Sequence, residues 1–237
     1  MVNYAMVIDL QKCVACGACA LACKNENNVQ QEIYWANYIK ETVGKFPNVR
    51  YHYVPTLCNH CNKAPCVQVC PTQAMYKQDD GITMHDEDKC IGCRYCMIAC
   101  PYGVIFFNDK EAHTFWRSNV SLMEGTASPK ELTEKVGGTV IPYYNPARAE
   151  TYAGIRNNGV VEKCTFCDHR VKKGELPYCV DSCPSDARIF GDLDDPSSNV
   201  NRLLGKFRPF RLKEELGTEP KVFYIRNYNP SVNREEV

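Results

Sequence analysis

Sixteen cysteines stand in a chain of 237 residues, and their spacing decides what chemistry they can do. They fall into four groups of four. Group one is Cys13, Cys16, Cys19 and Cys23, and group two is Cys58, Cys61, Cys66 and Cys70. Group three is Cys90, Cys93, Cys96 and Cys100, and group four is Cys164, Cys167, Cys179 and Cys183. Each opens with C-x2-C and closes with C-x3-C, an internal repeat with variable middles. Three chemistries use cysteine at this density. Disulfides need Cα atoms about 4.4–6.8 Å apart and staple small secreted domains. Cys13, Cys16 and Cys19, packed so tightly, leave no sensible pairing. Structural zinc wants two facing C-x2-C knuckles, a pattern that only group four resembles. Iron–sulfur cubanes fit best. Three cysteines at x2 spacing wrap a loop around three iron corners, and a fourth, commonly followed by proline, reaches a second cluster. Group three, C-I-G-C-R-Y-C-M-I-A-C-P, is that run without departure. Groups two and four end in Cys70-Pro71 and Cys183-Pro184 with longer middles, and group one has Lys24 where proline is usual.

The same spacing predicts which cysteines share a cluster. Groups two and three are separated only by a hairpin, as in a two-cluster ferredoxin. Cys58, Cys61 and Cys66 are then expected to share a cubane with Cys100, and Cys90, Cys93 and Cys96 to share one with Cys70. Groups one and four pair across that module. Cys13, Cys16 and Cys19 join Cys183, and Cys164, Cys167 and Cys179 join Cys23. Pairing one with two and three with four is the alternative that spacing leaves open.

The elements that must hold these groups are short. Tyr4–Asp9 and Arg50–Val54 read as strands running into groups one and two. Ala74–Asp86 reads as a hairpin around Asp80-Gly81, whose turn needs positive φ. Val104–Asn108, Arg188–Phe190 and Val222–Arg226 are further strand candidates. Helices of one to three turns are expected, one of them Asn199–Leu204 ended by Gly205. Residues 109–160 hold no cysteine, and the polar, Gly/Pro-rich run from Gly125 to Pro146 reads as an insertion.

Composition narrows the class. Lys and Arg number 28 against 28 Asp and Glu, with 44% hydrophobic and 24% charged residues. These are globular values that exclude disorder as the main state. A formal charge of zero leaves no electrostatic footprint for nucleic acid or an acidic membrane surface. The longest largely apolar stretch, Cys96–Phe107, contains a proline and is too short to span a bilayer. No basic n-region precedes Cys13, so no cleavable signal is expected. Four oxidised cubanes, each near −2 with its thiolates, bring the holoprotein to roughly −8.

Other side chains gather round the cysteines. Lys12, Lys24, Lys63, Lys89, Arg94, Lys163 and Arg170 lie beside ligands, where a positive charge favours a reduced cluster; Arg94, flanked by two ligands, is the best placed. As single residues they also suit solvated loops. His60, between Cys58 and Cys61, reads as a donor beside the site rather than a ligand. Trp35, Trp116, Tyr143 and Tyr144 suit either a docking face or packing. Asp192, Asp194 and Asp195 before Pro196 suit a turn that caps the following helix. No nucleophile–base or paired-carboxylate arrangement stands out, so no catalytic residue is assigned.

The strings KCVACGACALACK, CNHCNKAPCVQVCPTQA, KCIGCRYCMIACPYGV and KCTFCDHRVKKGELPYCVDSCPSDARIFGDLDDP resemble the four-cluster iron–sulfur subunits of molybdopterin oxidoreductases. Among that family, the respiratory arsenate reductase small subunits are the most similar. The match is close over residues 4–24, 50–108 and 160–196. It implies an α+β fold of two interleaved bacterial-ferredoxin-like modules with short antiparallel strands and short helices. The first module comprises 1–49 and 160–196, and the second 50–108; 109–159 is the insertion and 197–237 a C-terminal extension. The resemblance implies the pairing given above and four [4Fe–4S] clusters, since cysteine stands at all sixteen places. It also implies a non-catalytic subunit relaying single electrons to a molybdopterin catalytic subunit, for reduction of arsenate to arsenite. Polysulfide, tetrathionate or dimethyl sulfoxide reductases, and formate dehydrogenase or hydrogenase complexes, are the alternatives; a zinc-stabilised interaction module is a remoter one. The electron donor is expected to be a quinol-oxidising membrane protein or a c-type cytochrome. The periplasm is the expected compartment, reached folded beside a signal-bearing partner, with the cytoplasm as the alternative.

Overall fold

The structure is a computed structural model and describes residues 2–30, 32–110, 121, 123–137, 145, 147–148, 151 and 155–227. Its centre is a three-stranded sheet in the order β8–β1–β9. The middle strand β1 (Tyr4–Asp9) runs antiparallel to β8 (Arg188–Asp192), with Ile8 opposite Arg188, and parallel to β9 (Val222–Ile225), with Met6 opposite Val222. Ala5, Met6, Val7 and Ile8 are all fully buried, as a strand covered on both faces requires. The side chains alternate. Ala5 and Val7 pack with Val200, Ile225 and the partly buried Leu203 and Leu204. Met6 and Ile8 join Trp35, Ile82, Phe166 and Tyr224 in the main core, which also takes in Cys23, Cys58, Cys164 and Cys179. Each fully buried aliphatic side chain here contributes about 1.5–3 kcal/mol.

Three two-stranded ribbons surround this sheet. β2 (Asn37–Lys45) pairs with β3 (Asn48–Thr56) from Asn37↔Thr56 to Lys45↔Asn48. This long hairpin is exposed over most of its length and buried at its base, at Tyr53 and Pro55. β4 (Met75–Lys77) and β5 (Thr83–His85) form the hairpin expected around Asp80-Gly81. Gly81 has φ 78°, and a Cβ there would collide with the Lys221 side chain, so glycine is required twice over. β6 (Ile105–Phe107) pairs with β7 (Val161–Lys163), and Gly159 N–H donates to Asn108 O at 2.7 Å. The segment between them therefore leaves and returns at neighbouring backbone.

The helices are brief. In chain order they are α1 (Ala18–Glu26), α2 (Pro65–Gln68), α3 (Tyr95–Ala99), α4 (Pro129–Lys135), α5 (Asp168–Val171), α6 (Tyr178–Asp181) and α7 (Asn199–Lys206). α1 packs on α6, and α2 on α3. The polar stretch after Gly125 contains α4, whose Ser128–Glu131 capping box and Pro129 at the first turn stabilise it locally. One expected bound is corrected. α7 runs through Gly205 to Lys206 and ends at Phe207, because Gly205 takes no positive φ. Ser198 caps that helix through the Asn201 N–H, while Asp192 Oδ1 accepts from Asp194 N–H and from Asn3 N–H, and Asp195 Oδ1 accepts from Ser197 N–H. No helix among the described residues is long and apolar enough to cross a membrane.

Candidate metal-cluster sites

The C-x2-C repeat recurs in the backbone. The residue before the second cysteine of each pair has positive φ: Ala15 57°, His60 44°, Gly92 67° and Phe166 53°. That conformation folds each loop back, so the N–H two residues on reaches the first sulfur. Gly92 donates to Cys90 Sγ at 3.5 Å and Phe166 to Cys164 Sγ at 3.4 Å; Ala15 does the same for Cys13 and His60 for Cys58. After three of the closing cysteines the chain turns again, at Gln73, Gly103 and Asp186, all with positive φ. Met75 N–H donates to Cys70 Sγ at 3.5 Å and Ala187 N–H to Cys183 Sγ at 3.4 Å.

The C-x3-C spacing is a helical turn. Cys19 and Cys23 both lie on α1, and Cys100 N–H bonds Cys96 O at the end of α3. Cys70 and Cys183 sit one turn beyond Cys66 in α2 and Cys179 in α6. Cysteines four apart consequently share a face but stand about 6 Å apart along the axis, so each meets a different set of thiols.

Four quartets result. Cys13, Cys16, Cys19 and Cys183 line one cavity with Tyr53, Pro55 and Arg188; this is the first site. Cys23 lies among Cys164, Cys167 and Cys179; burial first, and then these three thiols, push its own thiol up. The Asn27 amide donates to both Cys23 Sγ (3.7 Å) and Cys167 Sγ (3.5 Å); this is the second site. Cys58, Cys61, Cys66 and Cys100 line a third cavity. Cys70, Cys90, Cys93 and Cys96 line a fourth, with His85 and Arg94. All four thiols of the second site are buried, whereas Cys16 of the first and Cys93 of the fourth are exposed. The sites form a series. Cys58 of the third acts on Cys164 of the second, and the His60 imidazole stacks on the Phe166 ring with centroids 3.7 Å apart.

Electrostatics fit a cationic cofactor. Burial is the first cause that pushes the thiols of Cys61 and Cys96 up to about 11 and those of Cys66 and Cys167 up to about 12. Such thiols ionise only when a cation takes the proton's place. Burial also opposes ionisation of Cys70 and Cys183, yet backbone N–H donors and the Thr72 or Ser185 hydroxyl outweigh it and hold both below the ordinary thiol value. Two buried donors, Arg188 Nη2 and His60 Nε2, have no hydrogen-bond partner among the described residues. The first, third and fourth quartets each line a cavity, and among the described residues no three His, Cys, Asp or Glu converge as the ligands of one ion do. Four thiols about a cavity with N–H donors on sulfur are the donor set of a polynuclear iron–sulfur group.

The cations divide sharply. Lys63 and Lys89 make exposed ion pairs with Glu219 (2.7 Å) and Asp86 (2.9 Å). Lys12 is exposed, Lys24 donates to Ile33 O, and Arg170 pairs with Asp181. Arg94 is exposed, its guanidinium 3.7 Å from the Phe107 ring. Lys163 is buried and donates to Thr83 O and Cys164 O, and its charge partly offsets the burial that pushes the Cys58 and Cys66 thiols up. Sequence reasoning missed Arg188 and Lys77, whose Nζ donates to Cys61 O at 2.6 Å. Arg188 lies close in sequence to Cys179 and Cys183 and comes beside Cys13, Cys16 and Cys19 through the β1–β8 pairing; Lys77 reaches Cys61 through its hairpin. Trp35 is core: it is 1% exposed and donates to Glu162 Oε1 at 3.0 Å. Trp116, Tyr143 and Tyr144 lie outside the described residues.

Residues 49–117 and 131–193 match the family described as 4Fe-4S dicluster domain, and residues 6–26 match 4Fe-4S binding domain. The chain belongs to this iron–sulfur family, with ferredoxin-like domains of short strands and helices carrying four [4Fe–4S] clusters. It is 55% identical to the arsenate respiratory reductase iron-sulfur subunit ArrB of Shewanella sp. (strain ANA-3), across 94% of this chain and 96% of that one. It is 42% identical to a selenate reductase subunit of Mesobacillus selenatarsenatis, across 94% and 72%. It is 33% identical to a polysulfide reductase polypeptide of Wolinella succinogenes, across 95% of each.

Proposed function

We propose that each quartet holds one [4Fe–4S] cluster and that the chain relays electrons one at a time through the four in series. The ligand sets are Cys13, Cys16, Cys19 and Cys183; Cys23, Cys164, Cys167 and Cys179; Cys58, Cys61, Cys66 and Cys100; and Cys70, Cys90, Cys93 and Cys96. The first two sites form one ferredoxin-like module, interleaved in sequence with the module of the last two. The observation that carries this reading is the burial gradient: only the end sites have an exposed ligand, Cys16 and Cys93. When bound, a cubane supplies reversible one-electron chemistry. The chain's own part is to hold thiolates, aim N–H donors at their sulfurs and keep water from the middle of the series.

The partner at the first site is a molybdopterin catalytic subunit. The donor at the fourth is a quinol-oxidising membrane protein or a c-type cytochrome. The chain itself carries no substrate chemistry. Arsenate, reduced to arsenite on the partner, is the substrate best supported, by similarity over nearly the whole chain. The complex works in the periplasm, exported folded with its signal-bearing partner. Co-purification of the chain with a molybdenum protein, assayed against arsenate, selenate, polysulfide and tetrathionate, tests this reading. About 16 irons per chain and absorbance near 400 nm are expected. Zinc in their place, with no visible absorbance, overturns it in favour of an interaction module, and preference for another oxyanion reassigns the substrate.

A further inference from the structure

Arg188 opens β8, opposite Ile8 of the central strand, and is 3% exposed. It forms part of the wall of the first-site cavity beside Cys13, Cys16, Cys19 and Cys183. Its Nη1 also lies 3.6 Å from Cys179 Sγ of the second site and 3.8 Å from Met6 Sδ. Its backbone N–H serves Cys183. One residue therefore meets both ligand sets of the first module, its guanidinium at Cys179 and in the wall of the first cavity, its backbone N–H at Cys183.

What surrounds the guanidinium is unusual for a buried cation. The groups that act on it most are the thiols of Cys179, Cys19 and Cys164 and the Tyr224 phenol. Among the described residues Nη2 is buried and finds no hydrogen-bond partner, and no carboxylate forms an ion pair with the guanidinium. A buried charge without a counter-ion is strongly destabilising. The anions available to balance it are the thiolates of the two sites, and the balance improves whenever either site gains an electron.

Resting on the four-cluster reading above, we infer that Arg188 is a positioning residue shared by the first and second sites, raising the reduction potentials of both together. Each reduction adds one electron and one negative charge and breaks no bond. A cation in contact with both sulfur sets stabilises that charge on either side, so the transfer between them stays close to balanced. An exposed arginine screened by water and salt has no such hold. The bland alternative, that Arg188 only fills space, is met by methionine, which has similar length and no charge.

The test uses the holoprotein in its native complex, with iron counted and the four clusters resolved by EPR-monitored redox titration. In Arg188→Met, two of the four clusters are expected to lose at least tenfold in reduced-to-oxidised ratio at fixed potential, a fall of 59 mV for one electron. The other two stay in place. Arg188→Lys, which keeps the charge, restores most of the loss in both. If Arg188→Met does not load with iron, the comparison of Arg188→Gln with Arg188→Lys carries the test, since both can donate to sulfur and only one is charged. The inference is overturned if no cluster moves, if one moves alone, if all four move equally, or if the neutral and charged variants behave alike. A native protein that lacks four clusters overturns the reading beneath it and is recognised before any variant is made.

Discussion

The His60 imidazole lies against the Phe166 ring, centroids 3.7 Å apart and planes 28° from parallel. Each residue holds the positive-φ position of its own C-x2-C loop, and the two loops supply cysteines to different quartets. His60 is buried; its Nδ1 accepts from Thr83 N–H at 3.1 Å, and burial keeps it well below the usual histidine pKa, hence neutral. The stack is thus an apolar contact between the two loops. Phe166→Ala should cost about 3–5 kcal/mol, the range for emptying a buried aromatic position. The denaturant midpoint for loss of absorbance near 400 nm measures it, and an unchanged midpoint would remove the stack from the account of how the two loops hold together.

Asn27 separates the second site from the rest. Its amide donates to Cys23 Sγ and Cys167 Sγ and to no sulfur of another quartet. A hydrogen bond of this kind is worth about 1 kcal/mol, roughly fivefold in a reduced-to-oxidised ratio. Asn27→Leu should lower one potential by that amount. Redox titration of the variant decides it: movement of several clusters would mean that Asn27 acts through the fold.

His85 gives an acid-sensitive element. Burial first, then Lys163 and Arg156, push its pKa down to about 3. The folded protein keeps it neutral, while the unfolded chain protonates it below about 6.5. Stability from this group is complete above that value and declines as pH falls toward 3, because the unfolded state then binds the extra proton. His85→Gln should flatten the decline between pH 7 and 5 in denaturant midpoints, and an equally steep decline in the variant would refute it.

The ligand sets are checked by Cys183→Ser. Loss of the first-site signal with the second-site signal retained is expected. The two are told apart because Asn27→Leu moves only the second, whereas Arg188→Met moves both. Loss of the second-site cluster with the first intact would sink the pairing.

Much of this molecule was legible in its sequence, and the exceptions have physical reasons. β1 reads clearly because Ala5 to Ile8 are apolar and buried on both faces, and the β4–β5 hairpin because Asp80-Gly81 admits one kind of turn. The cysteine spacing anticipated which thiols the structure brings side by side, since C-x3-C forces a helical turn. β2 escaped notice because Asn37–Lys45 mixes charged and apolar residues on an arm with little burial. α4 was hidden by its polar neighbourhood, although Ser128, Pro129 and Glu131 mark its start. The cations were the hardest. Adjacency to ligands favoured Arg94, which is exposed, while Arg188 stands five residues beyond Cys183, outside the cysteine motif, and β8 carries its side chain back to Cys179.

The single turn of α1 between Cys19 and Cys23 has a last consequence. Four residues of helix rise about 6 Å and bring the second thiol back close to the azimuth of the first. The gap that an electron must tunnel across between the first two sites is thus set by helix pitch, not by a docking surface or a mobile side chain. One residue inserted there would turn Cys23 by about 100°. Every ligand would remain in the chain, and the circuit would be open.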